Sequence, residues 1–246
     1  MSTWSNTGMS EVHVGERHVL WAPVRNRSAQ GKRALVCCPQ FGVSANVYLG
    51  IDNNSQFVPA YMEVPRRFAS LGYPVVAADM GPNYTGWGND TSRARVLEAW
   101  QFVQARLGAA SDKMLLWGIS MGATTALSYA SQNESLVAAL AAEIPAVDLR
   151  DIYNNNRNGH AADIATGYGS AANFLAQAST HSPAEVEYSE INGHLWYGVT
   201  DPICIAARTE ALAARVPGIE VSQLPGAHVG NQVNPDDVVA FLTAAA

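Results

Sequence analysis

The 246-residue sequence predicts an α/β fold: a mostly parallel central sheet with helices on both faces, preceded by an antiparallel hairpin, in one domain spanning 1–246. Two observations carry this. Short apolar runs alternate with helical patterns along the chain, which implies parallel strands joined by helical crossovers. Several runs, such as MLLW at 114–117, are hydrophobic at every position, as strands buried on both faces must be. Composition agrees: 48% of residues are hydrophobic, and only 15% are charged against about 25% in an average domain, which argues against disorder or a coiled coil.

The elements follow in order. Residues 11–16 and 17–23 read as an antiparallel hairpin around Gly15. Strands are expected at 34–38 (ALVCC), 74–78 (PVVAA), 114–117, 136–144, 195–199 (LWYGV) and 219–224, each bounded by turn residues. A helix over 91–107 places Val96, Trp100, Val103 and Leu107 on one face, with Arg106 in its last turn and Gly108 beyond. A second, alanine-rich helix is expected over 202–216. A third begins at Asn234, with Pro235 at the favoured first position and Asp236 and Asp237 at its positive end. The segment 148–190 breaks the rhythm. It is rich in Asn, Gly and Ala and has room for a small cap or lid.

Several function classes are disfavoured. A net charge of −6 gives no general electrostatic attraction to nucleic acid or to an anionic membrane. Three stretches without charge (34–51, 114–133 and 164–184) are long enough to raise a membrane span, but each is interrupted by Gly, Ser, Asn or Gln. Residues 1–10 carry no basic and apolar leader pattern, so a cytoplasmic location is expected, and nothing points to an envelope- or virion-borne role. Cys37 and Cys38 are adjacent and Cys204 is distant, which makes neither a disulfide framework nor a zinc-ligand spacing. No metal and no organic cofactor are expected.

The chemical signal is Gly118-Ile119-Ser120-Met121-Gly122, which follows an apolar strand and leads into a small-residue helical pattern. In that setting the serine sits on a sharp turn that lifts its hydroxyl above the sheet edge, and the flanking glycines remove side chains that would collide with neighbouring backbone. A serine hydroxyl needs a base to take its proton, and the base needs an acid to hold its tautomer. Asp201 ends the strand at 195–199, and His228 lies in a glycine-flanked loop after the strand at 219–224. Asp148 and Asp151 are reserve candidates for the acid. The other five histidines, His160 among them, lack a strand-end position and read as structural or surface residues.

These residues, in the order Ser120, Asp201, His228, resemble the α/β-hydrolase family over nearly the whole chain. The G-I-S-M-G element is similar to the dienelactone-hydrolase and serine-esterase branches. The former commonly use cysteine, so Ser120 favours hydrolysis by serine. The resemblance implies a carboxylic-ester hydrolase working through an acyl-enzyme on a small-molecule or polymer-borne ester. A peptidase, thioesterase or acyltransferase on the same residues, or a non-catalytic binding module, is the alternative. The oxyanion hole is expected from the amides of Met121 and Phe41, with Gln40 second, because Pro39-Gln40-Phe41-Gly42 replaces the His-Gly pattern of many relatives. Gln40, together with Tyr84 and Trp87 on a glycine-rich loop after the strand at 74–78, is also a candidate to line a substrate pocket.

Overall fold

The structure is a computed structural model and describes residues 3–4, 9–14, 18–23, 29–49, 58–228 and 232–246. The described chain runs β1 (Thr3–Trp4), β2 (Met9–Val14), β3 (His18–Pro23), β4 (Leu35–Cys38), α1 (Val58–Ser70), β5 (Val75–Ala78), α2 (Asp90–Leu107), β6 (Met114–Ile119), α3 (Met121–Gln132) and β7 (Val137–Glu143). It continues through α4 (Leu149–Asn154), α5 (Ala161–Gly167), α6 (Ala171–His181), β8 (Gly193–Gly198), α7 (Ala206–Arg215), β9 (Ile219–Leu224) and α8 (Pro235–Ala244).

Nine strands form one sheet in the order β1-β2-β3-β5-β4-β6-β7-β8-β9. The first three are antiparallel and join β5, and the remaining six run parallel. Strands β2 and β3 are the expected hairpin, whose turn at 15–17 lies outside the described residues. The chain passes from β4 outward to β5 and then returns to β6 on the other side of β4. This reversal opens a crevice beyond the strand ends Cys38 and Ile119, the place where open α/β sheets bind ligands.

Alternation along the central strands divides the core. Val36, Val76, Leu116, Leu140 and Leu195 meet α2 and α3 on one face. Leu35, Val75, Leu115, Trp117, Ala139 and Trp196 meet α1 and α8 on the other. Covering both faces is why these strands are apolar at consecutive positions. Gly108 ends helix α2 at φ 66°, as its sequence promised, and the structure adds an N-cap that the sequence reading did not name, the Asn89 side chain accepting from Ser92 N–H.

Three differences from the sequence reading have local causes. Helix α1 was not anticipated because Pro65, inside it, reads as a helix breaker. Strand β6 extends two residues past Trp117, through Gly118 to Ile119. Helix α7 starts at Ala206 rather than at 202, because the Asp201 side chain accepts the N–H groups of Ile203 and Cys204 and holds them in a turn. The segment 148–190 folds as α4, α5 and α6.

Candidate active site

Ser120 stands between β6 and α3 with φ 53° and ψ −118°, a strained backbone for a residue with a side chain. Its surroundings hold it there. Ser120 N–H donates to the Glu143 carbonyl at the end of β7 (2.9 Å), and its carbonyl accepts from Thr124 N–H (3.1 Å). Both motif glycines sit where a side chain has no room. A Cβ on Gly118 would lie 2.6 Å from Gly122 backbone, and one on Gly122 only 2.0 Å from the Cys38 carbonyl oxygen. The tight approach at Gly122 brings the loop after β4 against the start of α3.

The hydroxyl of Ser120 is 2.9 Å from His228 Nε2, and His228 Nδ1 is 2.7 Å from Asp201 Oδ2. Asp201 is a carboxylate with a fully buried side chain, so Nδ1 carries the proton. Nε2 is left with a lone pair aimed at the serine O–H. The other oxygen, Asp201 Oδ1, accepts from Ile203 and Cys204 N–H at 2.8 Å each, which fixes the carboxylate and compensates its burial. The chain can therefore draw a proton from Ser120 without moving heavy atoms.

The reserve acids are committed elsewhere. Asp148 caps α4 by accepting from Asp151 N–H (2.9 Å). Asp151 pairs with Arg157 and stands 3.6 Å from Arg208. The hydrogen bond from Arg157 holds its carboxyl below the usual aspartate range. Glu143 presents another contrast. Burial pushes its carboxyl up to about 8, opposed by the bond it accepts from Trp117 Nε1 (2.8 Å).

Met121 is the first residue of α3, so its N–H has no intrahelical acceptor and lies beside the serine. On the facing loop, Gly42 N–H is taken by the Tyr84 carbonyl (3.2 Å). Phe41 and Gln40 are half-buried on that loop. Tyr84 is 36% exposed, whereas Trp87 is buried behind Phe41 and His160 and so does not itself line the pocket expected of it. The Trp87 ring lies 5.7 Å from Phe41 and 5.3 Å from His160, and His160 is 5.0 Å from Phe41. His160, set aside in the sequence, is thus the third ring of a cluster beside the loop after β4, with Nδ1 2.9 Å from Asp163. No local pattern announced it. Its placement depends on how 148–190 folds back.

A buried network holds Trp87, which has φ 44°. Arg93 can only donate, so His181 Nε2, 2.7 Å away, accepts. His181 Nδ1 then donates to the Tyr168 oxygen (3.2 Å), and the Tyr168 hydroxyl donates to the Trp87 carbonyl (3.1 Å). Burial, reinforced by Arg93, pushes His181 down to about 4, so it is neutral. Gly88 is tied to α3 through Thr125 and Ser128.

Among the described residues, one group has metal-ligand composition: an oxygen of Asp201, Cys204 Sγ and a ring nitrogen of His228, all within 4.8 Å of one another. No helix among those residues is long and apolar enough to cross a membrane.

The parallel sheet, the turn carrying Ser120 and the strand-end positions of Asp201 and His228 define an α/β-hydrolase fold. No protein-family model matches the chain, and no curated protein matches it in sequence. Solved structures do. An esterase of Pyrococcus furiosus, Pf2001, is 16% identical with a TM-score of 0.64, covering 100% of this chain and 91% of its own. Est1E of Butyrivibrio proteoclasticus, solved with ferulic acid bound, is 11% identical with a TM-score of 0.69, covering 100% of this chain and 98% of its own. Candida antarctica lipase A in its closed state is 12% identical with a TM-score of 0.69, covering 93% and 76%.

Proposed function

We propose that the protein is a serine hydrolase that cleaves a carboxylic ester through an acyl-enzyme. The observation that carries this reading is the continuous chain Ser120 Oγ–His228 Nε2 and His228 Nδ1–Asp201, with the serine on a strained strand-to-helix turn. Ser120 Oγ attacks the ester carbonyl while His228 Nε2 takes its proton. The Asp201 carboxylate holds the Nδ1 proton and stabilises the imidazolium. The Met121 and Phe41 amides receive the negative charge that develops on the carbonyl oxygen. His228 then protonates the leaving alcohol, and the acyl group remains on Ser120. Water, deprotonated by His228, releases the acid and restores the serine.

Helices α4 to α6 act in this reading as a cap, supported by the contact of His160 with Phe41 and Trp87. Phe41 and His160, half-buried and backed by the buried Trp87, favour an acyl group that packs on aromatic faces, and ferulic acid, bound in Est1E, is such an acid. The direct test has two arms. A fluorophosphonate probe should label the protein stoichiometrically at Ser120, and p-nitrophenyl esters from acetate to palmitate should be turned over faster than a peptide amide. Failure of the probe to label Ser120 overturns the nucleophile, and preference for the amide overturns the ester.

A further inference from the structure

We propose that Asp201, Cys204 and His228 also form an acceptor site for zinc, or a cation of similar softness, whose occupation switches the serine site off. The loss of turnover rests on the esterase reading above; the binding of the metal does not. The three side chains supply one oxygen, one sulfur and one nitrogen, the donor set zinc takes in proteins. Their convergence is built by the fold. The Asp201 carboxylate is anchored by the N–H of Cys204, which fixes that residue against the acid, and His228 arrives from the loop after β9.

Distances and charge both suit a metal. A tetrahedral zinc with bonds of about 2.0–2.3 Å separates its ligand atoms by about 3.3–3.6 Å. The Asp201–His228 pair, at 2.7 Å, must open slightly, and the sulfur must close in from within 4.8 Å. A carboxylate and a thiolate together neutralise the two charges of the ion, so it can occupy a place where Asp201 and Cys204 are buried. His228, with its side chain 19% exposed, is the side from which an ion arrives.

The proton balance explains the switch. Zinc bonds to Nδ1 of His228, to Sγ of Cys204 and to an Asp201 oxygen. The imidazole stays neutral, so its single N–H moves from Nδ1 to Nε2. The thiol proton leaves to solvent, one proton per ion bound. With Nε2 now a donor, His228 cannot accept from Ser120, and the hydroxyl keeps its proton.

The test uses the full chain with Zn2+ for turnover and Co2+ for spectroscopy. Zinc should inhibit ester turnover reversibly, with activity restored by a chelator, whereas Mg2+ and Ca2+ at the same concentration should not, since hard cations do not take a thiolate. In Cys204→Ala the half-inhibitory zinc concentration should rise at least tenfold, each protein being normalised to its own metal-free rate. Cys204→Ser, close to isosteric, should shift in the same direction and serves if the alanine variant folds poorly. Cobalt should give a thiolate-to-metal charge-transfer absorption in the wild type that Cys204→Ala lacks. That band needs no turnover, so it fails or succeeds independently of the esterase reading. Equal zinc sensitivity in wild type and both variants, or no cobalt–thiolate band in the wild type, overturns the site.

Discussion

Asp201, just beyond β8, and Asp151, in the first turn of the helix after β7, are two carboxylates at one edge of the sheet with opposite company. The side chain of Asp201 is fully buried, met by two backbone N–H groups and one imidazole. The side chain of Asp151 is 11% exposed and is met by two arginines. A carboxylate whose oxygens already accept from guanidinium groups has no free oxygen to hold a histidine. Asp201, held by amides on Oδ1 alone, presents Oδ2 to His228. Position at a strand end therefore does not distinguish the two carboxylates. The partners do.

Four measurements sharpen or break this contrast, taken from the largest effect down. Replacing the nucleophile comes first: Ser120→Ala should lower kcat by about 10⁴ or more with little change in melting temperature. Retention of a tenth of the activity means that neither carboxylate serves a serine.

The acids themselves come next. Asp201→Asn should cost up to about 10⁴ in kcat in a protein that still melts normally, because the amide favours the wrong imidazole tautomer. Asp148→Asn and Asp151→Asn should leave turnover within a few-fold and lower the melting temperature instead, a cap being worth about 1–2 kcal/mol. The reverse pattern would place the acid after β7.

Stability against pH separates a buried acid, Glu143, from a half-buried one, Asp151, on the same strand-end region. Glu143 is raised to about 8 in the fold, above its unfolded value of about 4.3. Its contribution is complete below that unfolded value and declines as pH rises through 8. Asp151 is lowered, so its contribution is present above about pH 3.9 and is lost on acidification. Melting curves should show Glu143→Gln flattening the loss between about pH 5 and 8, while Asp151→Asn flattens only the acid limb. A Gln variant that melts with the wild-type pH slope contradicts the buried neutral carboxyl.

The smallest effect concerns the wall of the pocket. Tyr168→Phe removes the donor to the Trp87 carbonyl, a bond worth about 1 kcal/mol. Preference between aromatic or long acyl esters and acetate should shift a few-fold, with the acetate rate nearly unchanged. An unaltered ratio would mean that Trp87 does not support the Phe41–His160 wall against the acyl group.

Much of this was legible in the residues. The six parallel strands, the stop at Gly108 and the turn around Ser120 all depend on side chains within a few positions of one another. Hydrophobic period, glycine and capping chemistry act over that range, so sequence alone determined them. It also put Ser120, Asp201 and His228 in an order that the fold brings together. Tertiary structure decided the rest, because partner choice is made between residues far apart. His228 meets an acid 27 positions away and a serine 108 positions away. His160 reached Phe41 only because α4 to α6 fold back, and Cys204 met a histidine no spacing rule would pair with it. Burial then set which carboxylates are charged, a quantity that exists only once water has been excluded by the packed chain.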